Sequence, residues 1–471
     1  MVMVMVLALA SLVNAQVVQK VDVVVVGGGG AGLLAAIAAS DEGADVVVLE
    51  KMPFVGGATL ISGAVSSAAG TRAQLEAGLE DSAELFFLDL MQGGQYTNDA
   101  RLTWMMAEQG GAVLDWMEDL GVGLALDIVP RVEHRVPRAL AWEGGGAGLF
   151  RALSQACAAR DIPVLLQTRA LELTMTDGRV DGVVAVNKDG EEITFKARYV
   201  ILATGGYGAN MDMRPEKVKD VLYYGPVSST GDGHRMAEAV GAKLHSMDKM
   251  KVYPHGVEIA PTIGKSTSRG SRMAIAQGAI FVNNAGKRVI DETTDMVSLK
   301  NKTLQQPDGR VFLVMDATQF EIFKTSDAAW SLEEIEGYLQ EPGRMVRSDD
   351  LATAAKEMGI DPQGLLATVE AYNDYVRQGR DPEFGRGDLP APIAQGPSYI
   401  VEQKPRTATT LGGLKVTLNM EVLDAKDQPI PGLLAAGEII AGAHGEESMP
   451  GCATTWAFVS GKIAGEYAAR Q

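Results

Sequence analysis

The feature that most constrains this chain is a glycine-rich turn between two short apolar segments near its beginning. Residues 21–26 are a continuous run of strand formers, and residues 46–49 form a second run that ends at Glu50. The turn between them has glycines in G-x-G-x-x-G spacing and leads into a stretch of helix formers. A strand, a glycine turn, a helix, a strand and an acid in this order make up the fingerprint of a βαβ unit that binds a dinucleotide. The sequence therefore predicts an α/β fold with a Rossmann-like nucleotide-binding unit.

Each part of this fingerprint has a physical role. Glycines allow a tight turn and a close approach of the backbone to a pyrophosphate, and the helix N-terminus offers free N–H groups to the phosphates. Glu50 can accept hydrogen bonds from the hydroxyl groups of a ribose. The predicted cofactor-binding residues of the turn are Gly27, Gly29, Gly30, Ala31 and Gly32.

Length, charge and cysteine content narrow the classes of protein. A chain of 471 residues is long enough for two domains or for one large interrupted domain. A net charge of −18 argues against binding to nucleic acid or to an anionic membrane. The only cysteines are Cys157 and Cys452, too few for a disulfide framework or an iron–sulfur centre, and we expect no metal site.

The first 20 residues have features of a secretion signal but not all of them. They contain an apolar core, and Val13-Asn14-Ala15 resembles a signal-peptidase site, yet no Lys or Arg precedes Lys20. The apolar stretch is too short to span a bilayer. An exported precursor and an uncleaved extension both stay open, and we favour the second, which is typical of a cytoplasmic protein without a transmembrane segment.

The order of segments predicts a nucleotide-binding domain with an insertion. A second buried strand at residues 199–204 ends at a glycine pair, and composition changes after Gly233 to a mixed helical and strand-like segment. A strand at residues 432–438 and a helix at residues 454–470 follow this segment. We therefore predict a nucleotide-binding domain of residues 21–235 and 396–471, which an α+β cap domain of residues 236–395 interrupts.

Several longer motifs resemble one family. The motifs are EKMPFVGGATLISG at 50–63, ATGGYGAN at 203–210, TGDGHRMAEAVGA at 230–242, FVNNAGKRVIDE at 281–292 and GLLAAGEIIAGAHG at 432–445. Together they resemble the flavoprotein domain of soluble fumarate reductases of the flavocytochrome c type, and their relatives, the urocanate reductases and 3-ketosteroid dehydrogenases. The resemblance covers nearly everything from Asp22 to Ala469. It implies that the dinucleotide is FAD and that its ring lies under the cap domain.

The resemblance also assigns residues to the FAD. Glu50 would hold the ribose, Ala170 would contact the adenine, and Glu438 would reach the ribityl chain, while Asp232 would lie near the ring. The other residues that the resemblance places at the cofactor are Lys51, Gly57, Ala58, Thr59, Gly63, Thr204, Gly205, Ser448, Ala453 and Thr454. Covalent members carry a histidine after the second glycine pair, and residues 56–71 contain none, so we expect non-covalent FAD.

The chain departs from the fumarate reductases where they bind the dicarboxylate. Met296 stands at about the place of their proton-donating arginine, and residues 408–411 lack their paired histidines. Their late arginine is replaced by Glu446, Glu447 and Ser448. Two acidic side chains at that place would repel a dicarboxylate, so the sequence predicts that fumarate is a poor substrate.

Two residues are the candidates for catalysis. Tyr253 occupies the place of a substrate-binding histidine and is the first candidate for an acid or base. Arg272 is the second, because it could bind a single carboxylate or polarise a carbonyl. A packed tyrosine and a surface arginine are the structural alternatives. Weaker candidates are His255, His444, Tyr223 and Tyr224.

We therefore expect an FAD-dependent oxidoreductase acting on a carbon–carbon bond next to a carbonyl, by hydride transfer at flavin N5. The expected substrate is a neutral or singly charged small molecule, such as a cyclic ketone or a steroid-like enone, and an external carrier would donate or accept electrons. One alternative is a reductase of an unsaturated carboxylate. Another is an electron carrier or binding module that has lost the catalytic set, for which we expect a cleft without polar groups.

Overall fold

A computed structural model describes residues 17–63, 65–129, 133–326, 330–341 and 343–471. The signal-like stretch at residues 1–16 lies outside this range. The strands within the range are β1 Val17–Lys20, β2 Val23–Val26, β3 Val46–Leu49, β4 Val65–Ser67, β5 Leu124–Val129, β6 Ala139–Trp142, β7 Val164–Leu165, β8 Arg169–Thr176, β9 Arg179–Val186, β10 Glu192–Lys196, β11 Tyr199–Leu202, β12 Leu222–Tyr223, β13 Leu244–His245, β14 Met250–Tyr253, β15 Gly256–Ala260, β16 Ile263–Ser266, β17 Ile280–Val282, β18 Val311–Met315, β19 Met345–Ser348, β20 Ser398–Gln403, β21 Arg406–Thr410, β22 Gly413–Leu414, β23 Glu421–Leu423 and β24 Pro429–Ala435.

The α-helices in the same part of the chain surround these strands. They are α1 Gly30–Asp41, α2 Gly57–Ile61, α3 Arg72–Glu76, α4 Ala83–Gly93, α5 Ala100–Asp119, α6 Gly145–Ala158, α7 Asp232–Ala239, α8 Ser268–Ile275, α9 Met296–Leu304, α10 Ala317–Ser326, α11 Leu332–Tyr338, α12 Leu351–Glu357, α13 Pro362–Gln378 and α14 Cys452–Arg470. Among the described residues, we find no helix with the length and apolar character needed to cross a membrane.

A six-stranded sheet in the order β23-β24-β11-β2-β3-β7 is the centre of the nucleotide-binding part. β2 pairs in parallel with β3 and β11, and β11 pairs in parallel with β24. All residues of β2 and β3 are buried, which explains their unbroken valine runs, because parallel strands are covered on both faces. Helix α1 connects β2 to β3. The α/β, Rossmann-like fold class predicted from the fingerprint is therefore confirmed.

The inserted segment has apolar cores of its own. One sheet in it has the order β17-β18-β20-β19, with α10 and α11 over one core and α12 and α13 over another. The apolar core of the nucleotide-binding part consists of residues from the segments 23–237 and 414–468. The two cores of the insertion consist of residues between 257 and 401. The predicted limit at residue 396 assigns β20 to the nucleotide-binding domain, but β20 pairs with β18 and β19 of the insertion.

A five-stranded sheet in the order β14-β21-β12-β16-β15 combines strands from the insertion with strands that precede and follow it. Its strand β21 follows β20 along the chain and pairs with β14 on one side and β12 on the other. The sheet contributes residues to a cavity whose other wall is the glycine turn after β2. This arrangement positions the candidate site.

Candidate active site

The main cavity extends from the glycine turn to the five-stranded sheet. Its volume is about 1150 Å³. Typical small-molecule pockets measure about 300–1,000 Å³, so this cavity is large enough for a dinucleotide and a second molecule. Its lining joins Gly29 and Thr59 on the nucleotide-binding side to Tyr253 and Arg406 on the other.

The glycines of the turn have two different roles. A Cβ at Gly29 would meet only the Gly56 carbonyl oxygen, at 3.8 Å, and Gly29 lines the cavity. The space beyond Gly29 is therefore available to a ligand. A Cβ at Gly32 would stand 1.9 Å from the Gly27 carbonyl oxygen, and Gly32 is not part of the cavity wall. The prediction that Gly32 approaches the pyrophosphate is corrected, because its hydrogen atom lets α1 pack against the end of β2.

Glu50 lies in the cavity wall just beyond β3. Its carboxylate accepts hydrogen bonds from the backbone N–H groups of Gly28, at 2.7 Å, and Met52, at 2.8 Å. These two bonds fix the side chain against the glycine turn, at the end of β3, where the fingerprint places the ribose-binding acid. Each carboxylate oxygen still has a lone pair for a ligand hydroxyl.

Lys51 and Asp232 form an ion pair beside Glu50. The Lys51 ammonium group donates to Asp232, at 2.9 Å, and to the Thr230 hydroxyl, at 2.8 Å. Arg169 lies 3.7 Å from the same carboxylate. Although burial acts to raise it, the pKa of Asp232 is lowered, because the Lys51 ammonium group stabilises the ionised carboxylate. Asp232 thus lies in the cavity wall, paired with the residue that follows Glu50, and its place near the ring stays a prediction.

Glu438 contributes a carboxyl group to the cavity wall. One of its oxygens accepts hydrogen bonds from the backbone N–H and the hydroxyl of Thr410, at 2.8 and 2.9 Å. Burial raises the pKa of Glu438. Nearby in the cavity wall, the hydroxyl of Thr204 is buried and has no hydrogen-bond partner among the described residues. An unpartnered hydroxyl and an unfilled glycine cradle both suit the polar backbone of a bound dinucleotide.

Three neighbouring strands bring two tyrosines and an arginine together. Tyr253 of β14 and Arg406 of β21 are directly opposite in an antiparallel pair. Tyr224, just after β12, donates its backbone N–H to the Thr407 carbonyl. The Arg406 guanidinium carbon lies 4.0 Å from the Tyr224 ring centre and 4.8 Å from the Tyr253 ring centre. All three side chains line the cavity.

Arg406 is a site residue that sequence reasoning missed. It is buried, with Nε donating to the His255 carbonyl at 2.5 Å and Nη2 donating to the Ser268 hydroxyl at 2.8 Å. Nη1 is buried without a hydrogen-bond partner in the described part of the chain. The sequence did contain a signal for Arg406. It stands two residues before Ala408, in the segment where the family has its paired histidines and this chain has none. Residues two apart on a strand share a face, and both line the cavity.

Tyr253 and Arg272 differ in their surroundings. Burial first, and then the neighbouring Tyr224, raises the pKa of Tyr253 above that of a free tyrosine. Tyr253 therefore stays protonated at neutral pH and suits a proton donor better than a base. Arg272 is exposed on α8, lines the cavity and donates from Nε to the Ser268 carbonyl at 3.2 Å.

Of the four weaker candidates, two line the cavity and two do not. Tyr224 and His444 line the cavity, and burial lowers the pKa of His444 to about 4, so its imidazole is neutral. Tyr223 and His255 do not contribute to the wall. The Tyr223 hydroxyl donates to the Pro226 carbonyl at 3.0 Å, and His255 stacks on Phe281. These two are packing residues.

The two glutamates predicted to repel a dicarboxylate are not free charges. Glu447 is buried between Lys251, at 2.6 Å, and Lys300, to both of which it is ion-paired. Glu446 pairs with Lys249 at 3.1 Å. Neither glutamate lines the cavity. The premise of charge repulsion was therefore wrong, because lysines distant in sequence neutralise both carboxylates.

Most predicted cofactor residues converge on the cavity. Besides those described above, the residues that form its wall are Gly27, Gly30, Ala31, Gly57, Ala58, Gly63, Ala170, Gly205, Ser448, Ala453 and Thr454. They come from both halves of the nucleotide-binding part, on either side of the insertion. The hydrogen-bonding groups of this wall and the open glycine cradle fit an FAD, which Gly29, Glu50 and Glu438 would help to hold.

Comparisons with known proteins agree with this geometry. A family model described as an FAD binding domain matches residues 22–454. The urocanate reductase of Eggerthella lenta is 35% identical, over 95% of this chain and 74% of its own length. The solved structure of the open conformation of a flavocytochrome c3 fumarate reductase is 33% identical, with a TM-score of 0.82 over 96% of this chain and 78% of that one.

A third similar protein is a ketosteroid dehydrogenase by name. The solved structure of a 3-ketosteroid-Δ4-(5α)-dehydrogenase from Rhodococcus jostii, in complex with 4-androstene-3,17-dione, is 26% identical. Its TM-score is 0.76, over 98% of this chain and 99% of that one. The predicted resemblance to the fumarate reductases, urocanate reductases and 3-ketosteroid dehydrogenases is thus confirmed, and so is FAD as the cofactor.

Proposed function

The chain belongs to the FAD binding domain family and is an FAD-dependent oxidoreductase, and we propose that it reduces a carbon–carbon double bond next to a carbonyl or carboxyl group. The carbon–carbon bond, rather than another oxidisable group, is favoured by similarity to reductases of fumarate and urocanate and to a ketosteroid dehydrogenase. The alternative direction, desaturation, uses the same site. An external electron carrier would complete the cycle.

The observation that carries this proposal is the polar wall opposite the glycine turn. Tyr253, Tyr224 and Arg406 line the same cavity as Gly29 and Glu50. A binding module or carrier that had lost its catalytic set would have no need for a buried arginine with an unpartnered donor. The wall therefore favours an enzyme.

The division of labour follows from the chemistry of the side chains. Bound FAD supplies or accepts the hydride. We assign to Tyr253 the proton that must reach the neighbouring carbon, because burial keeps its hydroxyl protonated. When Tyr253 gives up this proton, the Arg406 cation, 4.8 Å from its ring, and the Lys251 cation, 5.3 Å away, stabilise the negative charge that is left. Solvent then returns the proton to Tyr253.

The substrate we propose carries one negative charge at most. Met296 and Ser448 line the cavity at the two places where the fumarate reductases have arginine. A second carboxylate would there meet a thioether and a hydroxyl, neither of which can provide the two-pronged charged bond of a guanidinium. Fumarate is therefore proposed to be a poor substrate for lack of partners, not because of repulsion.

An anaerobic half-reaction tests the proposal. Enzyme with photoreduced flavin is mixed with 2-cyclohexenone, with cinnamate or with fumarate, and return of the oxidised flavin spectrum is followed. We expect rapid reoxidation with 2-cyclohexenone, with cinnamate or with both. With fumarate we expect a rate far below the ~1–1,000 per second that is common for enzymes. The matched controls are cyclohexanone and 3-phenylpropanoate, which lack the double bond. Reoxidation by no enone or unsaturated acid, with FAD fully bound, would reject the proposal.

A further inference from the structure

We propose that Arg406 is the specificity-determining residue of the site and binds the carboxylate of the substrate. This inference rests on the proposed function and refines it, because it selects an unsaturated acid over the corresponding neutral ketone or amide. Met296 and Ser448, at two places where the fumarate reductases have arginine, cannot bind a carboxylate as a cation does.

The position of the Arg406 guanidinium is fixed before any ligand arrives. Nε donates a hydrogen bond to the His255 carbonyl, and Nη2 donates one to the Ser268 hydroxyl. The guanidinium carbon lies over the Tyr224 ring, 4.0 Å from its centre. Stacking on an aromatic ring leaves the edge of a guanidinium available. The remaining donor, Nη1, is buried and has no partner in the described residues. An acceptor oxygen from a ligand would give this nitrogen a partner.

The buried positive charge of Arg406 also favours binding of an anion. Arginine stays ionised in proteins, and a buried cation is costly unless an anion or several acceptors compensate it. Within the described residues, Arg406 forms no ion pair with an aspartate or glutamate, and Glu447 is already taken by Lys251 and Lys300. A carboxylate oxygen supplies both the missing acceptor and the missing charge.

Arg214 shows what a purely structural arginine looks like in this fold. It is also buried and stacks on a tyrosine, with its guanidinium carbon 4.9 Å from the Tyr223 ring centre. Its Nε and Nη1 donate to the backbone carbonyls of Gly208 and Val221, at 2.7 and 3.3 Å, and it does not line the cavity. Of these two arginines, Arg406 alone combines a buried donor that has no partner in the described residues with a place in the cavity lining.

The phosphates of FAD would lie too far from Arg406 to be its anionic partner. Strand β21 runs from Arg406 to Thr410, which holds Glu438. Four residues of extended strand cover about 13 Å. Gly437, next to Glu438 in the chain, packs beside the glycine turn, because an added Cβ there would lie 2.9 Å from the Cβ of Ala31. Arg406 therefore lies at the far end of β21 from Thr410, opposite Tyr253 of β14.

Equilibrium binding to the FAD-loaded enzyme tests the inference without any turnover. The probes are 3-phenylpropanoate and 3-phenylpropanamide, which have the same shape but differ in charge, and binding is followed by perturbation of the flavin absorption spectrum. We expect the acid to bind more tightly than the amide. Arg406→Met should weaken the acid by about 10- to 100-fold, the range of a hydrogen bond to a charged group, and leave the amide unchanged.

Two further variants keep the result interpretable. Arg406→Lys retains the charge and should restore part of the affinity for the acid. Arg214→Met removes a buried arginine away from the cavity, and should lower stability without changing the preference for acid over amide. Thermal denaturation and FAD content are measured for each variant.

Several outcomes would overturn the inference. They are equal binding of acid and amide by the wild-type enzyme, no binding of 3-phenylpropanoate at all, and an equal loss for both probes in Arg406→Met. A shifted flavin midpoint potential with unchanged acid binding would instead assign Arg406 to the flavin ring. Tight, Arg406-dependent binding of the acid without reoxidation by any unsaturated compound would uphold the inference and reject the proposed reaction.

Discussion

Replacing Gly29 by alanine should separate cofactor binding from folding, because only the cofactor needs the space beyond this residue. The backbone of Gly29 has φ −79° and ψ −177°, which alanine adopts without strain, and the new methyl group would have a single contact at 3.8 Å. Gly29 is also the N-cap of α1, where glycine is preferred over alanine by up to ~1 kcal/mol. The lower entropy of the unfolded variant offsets this by about 0.4–1 kcal/mol.

The magnitude of the effect on FAD follows from the same geometry. A methyl group inserted into a close-packed contact costs about 1–3 kcal/mol. If the pyrophosphate lies against Gly29, the dissociation constant of FAD should rise by about 5- to 150-fold. The melting temperature of the apoprotein should change by no more than about 3 °C, since the two backbone effects nearly cancel.

Gly32→Ala is the matched control, three residues further along the same segment. Its methyl group would stand 1.9 Å from the Gly27 carbonyl oxygen, so α1 must move away from β2. This cost exceeds the ~1 kcal/mol that alanine gains over glycine inside a helix. We expect a lower melting temperature for the apoprotein as well as weaker FAD binding.

The assay combines fluorescence titration of apoprotein with FAD and thermal denaturation of the same samples. Wild-type affinity for FAD in Gly29→Ala would refute the placement of the pyrophosphate. A destabilised apoprotein in Gly29→Ala, or an unaffected one in Gly32→Ala, would refute the packing argument on which the comparison depends.

Three other predictions concern the bond to the cofactor, the proton and the pH. Acid precipitation should release all the flavin into the supernatant, because residues 56–71 contain no histidine, whereas flavin in the pellet would indicate a covalent link. Tyr253→Phe should lower the rate of the half-reaction by about 100- to 10,000-fold with FAD content unchanged, and a variant that keeps a third of the activity would make Tyr253 a packing residue. Because the pKa of Asp232 is lowered, its pairing with Lys51 stabilises the fold above the ordinary aspartate pKa, ~3.9, and the stability is lost as pH falls through the lower folded value. The difference in melting temperature between wild type and Asp232→Asn should thus be constant at pH 6–8 and shrink below about pH 4, and a difference that stays constant to pH 2 would contradict this.

Local sequence determined the nucleotide-binding half of the site. The βαβ unit and the acid at Glu50 are contiguous, and their geometry depends on backbone rules that operate over a few residues. The same holds for the closing helix, predicted at 454–470 and found as α14. Where spacing alone fixes the neighbour, as for Gly29 beside the helix N-terminus, the sequence is sufficient.

Tertiary structure decided the second half. Tyr253 and Arg406 are 153 positions apart, as 406 − 253 shows, and they become neighbours only because β14 pairs with β21 in one register. Likewise Glu447 reads as a free charge until the fold brings Lys251 and Lys300 to it. Strand register and ion pairing between distant segments depend on the packing of the whole chain, so the charges in and around the cavity could not be derived from local spacing.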